Sequence, residues 1–178
     1  MLKLVLFKEI SPDIIQDLTE KILKSDEKEV LINLNSQGGE VFSAFAFYNV
    51  IKSEQIALTV NVVGACSSSA ITILLSGETR RASKIAEFLL HPMSRRYEKA
   101  SLNAKELKGQ SQDLQRMEKK SDKIERLNVA KELKKRGKTK KEIEKVFRKI
   151  NKLVEKETKI TATQAYEFGY LTERPYDL

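Results

Sequence analysis

Two rhythms of apolar residues alternate along the first half of the chain. Residues 2–7, 30–34 and 57–63 are short apolar runs that read as strands, the last ending at Gly64, and Phe88-Leu89-Leu90 is a fourth. Between them, hydrophobic side chains recur every three or four positions. Ser11-Pro12-Asp13 has the composition of a helix start, with proline at the first helical position, and Ile14, Ile15, Leu18, Ile22 and Leu23 continue as a stripe. Val41, Phe42, Phe45, Ala46, Tyr48 and Ile51 repeat the pattern after the second run. Residues 67–75 are apolar nearly all round beyond their serines, which predicts a deeply buried helix. Strand followed by helix, several times over, predicts an α/β layered domain with a mostly parallel sheet. Loops at the carboxyl ends of such strands are where sites form. Three of those ends carry Gly38-Gly39, Ser67-Ser68-Ser69 and His91.

Beyond His91 the apolar pattern thins. Leu107, Leu114, Met117, Ile124 and Leu127 form a narrow stripe on an otherwise charged helix, as suits packing against one partner helix. Gly137 is the expected break, and Thr139-Lys140-Lys141-Glu142 has capping-box spacing for the next helix. That helix presents Ile143, Val146, Phe147, Ile150, Leu153 and Val154. The chain of 178 residues suits one core, so residues 1–178 are read as a single domain with 95–156 as an extended basic helical arm.

Charge sharpens this division. The net +8 is concentrated in residues 95–159, where 23 Lys/Arg stand against 11 Asp/Glu, leaving −4 on the remainder. A basic block can neutralise phosphates, but acids interleave throughout and no aromatic lies between Tyr97 and Phe147 to stack on a base. Nucleic acid is therefore disfavoured, and the arm reads as a solvated helical face. No apolar run approaches ~18 residues and no charged-then-apolar leader is present, so a cytoplasmic protein without a membrane partner is expected. One cysteine, Cys66, and one histidine, His91, leave no disulfide framework and no His-rich metal site, and no cofactor is expected. Any Ser-His chemistry within one subunit must use His91.

A glycine pair after a strand can turn a backbone N–H toward an anionic oxygen, and a serine at a buried helix N-terminus gains a second donor. A histidine on a neighbouring strand end can take the serine's proton. These are parts for acyl transfer, although each also has a plainer use as a turn, a cap or a core residue.

The order of the motifs adds to this. Asn35-Ser36-Gln37-Gly38-Gly39-Glu40-Val41 resembles the Asn-Ser-Pro-Gly-Gly-x-Val signature of the Clp protease proteolytic subunit family. Gly64-Ala65-Cys66-Ser67-Ser68-Ser69-Ala70 resembles its nucleophile segment, and Leu89-Leu90-His91-Pro92 its Ile-His-Gln-Pro stretch. Residues 155–162 resemble the segment with the third triad member, and 164–171 echo the family's Glu-Ala-x-x-Tyr-Gly-Leu ending. The resemblance implies the layered fold shared with crotonases and a serine endopeptidase in which Ser68 is nucleophile, His91 general base and Glu157 the acid, where the family has Asp. It implies Gly39 and Ser69 as backbone oxyanion donors, a peptide or unfolded protein as substrate, and a homo-oligomeric ring assembly in which the arm interlocks two stacked rings. Ser67 and Ser69 flank the assigned nucleophile, and Glu155 is the nearest substitute for Glu157.

Departures from the family leave alternatives in place. Glu157 is one methylene longer than Asp, which keeps open an inactive assembly protein of the same fold. A crotonase-like acyl-CoA enzyme is the less favoured reading, because its chemistry has no need of the Ser68–His91 pair. The family's axial segment has no counterpart before Leu2, so an ATPase unfoldase partner either is absent or docks differently. Met93-Ser94-Arg95-Arg96-Tyr97 replaces the family's glycine-rich substrate stretch, and its two arginines suggest a preference for acidic peptides.

Overall fold

The alternation folds into one six-stranded mixed sheet. A computed structural model describes residues 1–92 and 104–177. Strands β1 (Leu2–Leu6), β2 (Glu29–Ser36), β3 (Ala57–Ser67), β5 (Glu87–Leu90) and β6 (Thr158–Thr161) lie side by side in that order, and β4 (Thr79–Ala82) also pairs with β3. All pairs are parallel except β5–β6. The predicted α/β layering is therefore observed, with an antiparallel edge. Helices α1 (Pro12–Leu23), α2 (Val41–Ser53) and α3 (Ala70–Ser76) connect the first strands. The arm residues form α4 (Ala104–Lys135) and α5 (Lys140–Glu155), and α6 (Ala162–Glu167) follows β6.

Local chemistry sets the boundaries. Ser11 Oγ accepts the Ile14 N–H as the cap of α1, and Ile15, Leu18 and Ile22 bury its inner face. Glu40 caps α2 by accepting from the N–H groups of Phe42 and Ser43. Thr139 and Glu142 form the reciprocal capping box at α5, one residue pair beyond Gly137, whose φ of +78° ends the preceding turn. Every residue of α3 is buried. Around it, Ile32, Leu34, Phe47, Val60, Val62 and Phe88 are fully excluded from solvent, so the core lies at the centre of the sheet.

Three sequence expectations change. The third strand runs through Gly64 to Ser67, because Asn35 fills the space over the glycine and accepts the Ala65 N–H at 2.8 Å. A Cβ at Gly64 would lie 2.6 Å from Asn35 Oδ1. The buried helix consequently starts at Ala70, and the three serines end a strand, make a turn and precede a helix. Strands β4 and β6 (Thr-Arg-Arg-Ala and Thr-Lys-Ile-Thr) carry no apolar run to announce them. Arg80 is nonetheless buried in β4, where its guanidinium donates to the carbonyls of Tyr170 (2.7 Å), Gly77 (3.2 Å) and Gly169 (3.4 Å). Burial lowers its pKa to about 10. Finally, the five-residue stripe of α4 does not stay on one face. Met117 is buried, but Leu107 and Leu127 are 52% and 63% exposed, while Val129 and Leu133 enter the core. The stripe's 7-3-7-3 spacing repeats every ten residues, and at about 100° per residue each repeat turns it by about 80° around the helix, which carries Leu127 away from the packed side.

Among the described residues no helix is long and apolar enough to cross a membrane.

Candidate active site

Three strand ends meet beside the N-terminus of α3. The β3 chain leaves the sheet at Ser67, and Ser68 takes a left-handed φ of +55° that costs a non-glycine residue roughly 1–2 kcal/mol. Such a turn lifts a side chain clear of its own strand, and strain of this kind collects at functional positions. The glycine pair packs against the same turn. A Cβ at Gly38 would sit 2.7 Å from both Ser67 O and Ser68 Cβ, and at Gly39 2.3 Å from Ile10 O, so only glycine fits either place. Their φ values, +95° and +141°, add a second reason. Ser36 Oγ accepts the Gly38 N–H at 3.1 Å and itself donates to Lys8 O at 2.7 Å, and Gly38 O accepts the Ile10 N–H at 2.7 Å, fixing the loop.

Ser69 Oγ donates to Gly39 O at 3.1 Å, which ties the glycine loop to the start of α3. Among the described residues neither the Gly39 nor the Ser69 backbone N–H is used in a hydrogen bond. Of these two, Ser69 lines the cavity beside the turn, whereas Gly39 is not among its lining residues. Ser67 is committed elsewhere: it is buried, and its hydroxyl faces Gln37 Oε1 at 3.3 Å.

His91 follows the last residue of β5, and β5 pairs with β3 through Ser67↔Leu89. Ser68, Ser69 and His91 consequently line one cavity of about 200 Å³. Val41, Ile71, Leu89, Pro92 and Val154 give it apolar walls. The ring Nδ1 of His91 lies 2.6 Å from the carbonyl oxygen of Pro92. A carbonyl only accepts, so Nδ1 is the donor in this contact, and in the neutral ring Nε2 is then the acceptor. Glu157 stands one step beyond the last β5–β6 pair, Leu90↔Thr158, which continues the register to His91. It is exposed, has a φ of +49°, does not line the cavity and makes no hydrogen bond to the ring. Glu155 is also exposed and outside the cavity. Met93, Ser94, Arg95, Arg96 and Tyr97, and with them the expectation about acidic peptides, lie outside the described residues.

The cavity has a wall that the motifs did not reveal. Helix α4 contributes Glu118, Ser121, Asp122 and Glu125, spaced so that one helix face carries three acids toward the cavity. That spacing was visible in the sequence, hidden among the basic residues around it. Cys66, buried behind the serine turn, has its thiol pKa pushed up by desolvation and is unsuited to act as a nucleophile. Among the described residues no three His, Cys, Asp or Glu side chains are placed so that they could hold a metal ion together.

A family model described as Clp protease matches residues 2–173. The chain is also similar to the ATP-dependent Clp protease proteolytic subunit 2 of Borreliella burgdorferi, at 31% identity over 98 residues. That alignment covers 51% of this chain, which thus spans about half (50%) of the length of the curated relative it matches.

Proposed function

The chain belongs to the Clp protease family, and on that premise we propose that it is a serine peptidase acting on peptides or unfolded proteins. The observation that carries this reading is the convergence of Ser68, Ser69 and His91 on one cavity beside the glycine loop. Ser68 is the nucleophile. As its Oγ attacks a peptide carbonyl, His91 Nε2 takes the proton, and the oxyanion rests on the N–H groups of Gly39 and Ser69. The C–N bond then breaks while His91 returns the proton to the leaving amine, and water repeats the sequence on the acyl-enzyme. Glu157 supplies negative charge to the imidazolium from the start of β6. With Nδ1 held by the Pro92 carbonyl, its part is electrostatic and smaller than that of His91.

Self-association belongs to the same reading. Leu107 and Leu127, exposed on different faces of α4, offer apolar contacts to further copies, in keeping with a ring of subunits. An ATP-driven partner that delivers protein substrates fits the relative's description, which is a statement about that protein. A second reading, an assembly protein of this fold without turnover, draws on the missing hydrogen bond between Glu157 and His91.

Hydrolysis of a fluorogenic peptide separates the two. Ser68→Ala and His91→Ala are expected to lower kcat by ~10⁴-fold or more with unfolding curves unchanged, and Glu157→Gln by only about 10–100-fold. Wild-type turnover no greater than that of Ser68→Ala supports the assembly protein instead.

A further inference from the structure

One titratable side chain of the cavity has no part in the reaction just proposed. Glu125 is half-buried on the wall formed by α4, and its Oε1 accepts a hydrogen bond from Tyr170 Oη at 2.8 Å. Tyr170 itself is fully buried. Among the described residues no lysine or arginine forms an ion pair with Glu125. Arg126, its neighbour in sequence, turns instead to Asp122, with Nε at 2.9 and 3.0 Å from the two carboxylate oxygens, and lies over the Phe147 ring. Tyr170, and no cation among the described residues, is therefore the direct partner of the Glu125 carboxylate. Burial raises its pKa to about 7, against the Tyr170 hydrogen bond, which favours the charged form, while Asp122 raises it further and Arg126 lowers it.

Around this group the cavity is built in two halves. Val41, Ile71, Leu89 and Val154 are aliphatic, while Glu118, Asp122 and Glu125 are acidic. His91 is the one basic side chain among the described residues that line it. Among the described residues, the charged side chains that this lysine- and arginine-rich arm turns toward the cavity are all acids. A long side chain with a methylene stem and a cationic head matches both halves: the stem packs on the aliphatic wall and the head meets the carboxylate. Its attraction to the carboxylate would also offset part of the cost of burying that charge.

We infer that Glu125 is a specificity-determining residue, selecting substrates with lysine or arginine on the amino side of the scissile bond. The inference rests on the reading of Ser68 as nucleophile.

The test compares kcat/KM for two fluorogenic peptides that differ only at that residue, lysine in one and norleucine in the other. Norleucine keeps the stem and lacks the charge. Taking the ratio cancels groups that act on both peptides alike, His91 among them. At pH 8 the lysine peptide is expected to be favoured about tenfold or more, and less at pH 6, where Glu125 is largely protonated. Glu125→Gln keeps an acceptor for Tyr170 and should lower the ratio at pH 8 severalfold and flatten its change between pH 6 and pH 8, an effect that a merely structural role would not produce. A wild-type ratio at or below one at pH 8, or a ratio that Glu125→Gln leaves unchanged, overturns the inference. A serine-directed fluorophosphonate applied to the same preparations separates the two levels. Labelling of Ser68 without lysine preference overturns the specificity alone, whereas neither labelling nor cleavage overturns the nucleophile assignment and the specificity with it.

Discussion

The sheet with its first three helices and the pair of arm helices solve different physical problems. In the former, the central strands and α3 bury their apolar residues while Val5, Phe7, Leu23 and Phe42 stay exposed around them, and the strands place small residues where the chain must pass close to itself. Gly38 and Gly39 touch the Ser67–Ser69 turn and Ile10 at distances no Cβ tolerates. In α4, by contrast, Gly109 has open space around it, and large aliphatics such as Leu107 and Leu127 face outward. Position along the chain therefore says little about the cost of a change, whereas what surrounds the side chain says much. The arm still contributes to the site, because its C-terminal half packs on the core through Val129 and Leu133 and so presents Asp122 and Glu125 to the cavity.

The contrast can be broken most sharply with leucines of one helix. Leu133 is 1% exposed, so Leu133→Ala is expected to lower the unfolding free energy by about 2–5 kcal/mol. Leu127→Ala, six residues earlier in α4, should stay within about 0.5 kcal/mol. Urea denaturation followed by circular dichroism measures both, and equal losses would mean that α4 packs differently. Glycines give the next largest difference. Gly38→Ala meets both backbone and a left-handed φ, and should destabilise by about 1–3 kcal/mol while abolishing turnover. Gly109→Ala, inside a helix, should stabilise by about 0.5–1 kcal/mol.

A pH series sharpens the point where the two regions meet. Glu125 is raised to about 7 in the folded protein, so the native state binds its proton more tightly than the unfolded chain does. Its burial is therefore harmless below its unfolded pKa, and stability falls as pH rises from there through about 7. Glu125→Gln removes that dependence. Relative to wild type, the variant should gain roughly 1–2 kcal/mol of unfolding free energy between pH 5 and pH 8. A constant difference across that range would show that the carboxyl is solvated in the folded state.

How much of this could be read beforehand follows from the same physics. Residues 2–76 and 88–90 announce their elements because strands and helices there bury a continuous face, and the apolar period records it. Ser11, Thr139 and Gly137 were legible because caps and helix ends demand particular residue types. The candidate chemistry at Ser68, Ser69 and His91 was legible only through ordered motifs, and the fold brings those three to one cavity. Strands β4 and β6 were invisible because four residues with a buried arginine, or with one buried isoleucine, have no period to detect. Glu125 escaped notice for a related reason: its significance lies in having Tyr170, distant in sequence, as its hydrogen-bond partner and no cation beside it. Glu157 shows the reverse situation, a residue that motif order singles out and whose side chain remains exposed beside the site.

The central claim is that the strained turn presents Ser68 to the lone pair of His91. Mass spectrometry of the protein after fluorophosphonate treatment at neutral pH tests it directly. The account predicts a single adduct on the peptide containing Ser68, absent in Ser68→Ala, retained in Ser67→Ala, and strongly reduced in His91→Ala. A folded wild-type protein that acquires no adduct, or one whose adduct persists in Ser68→Ala, would contradict it.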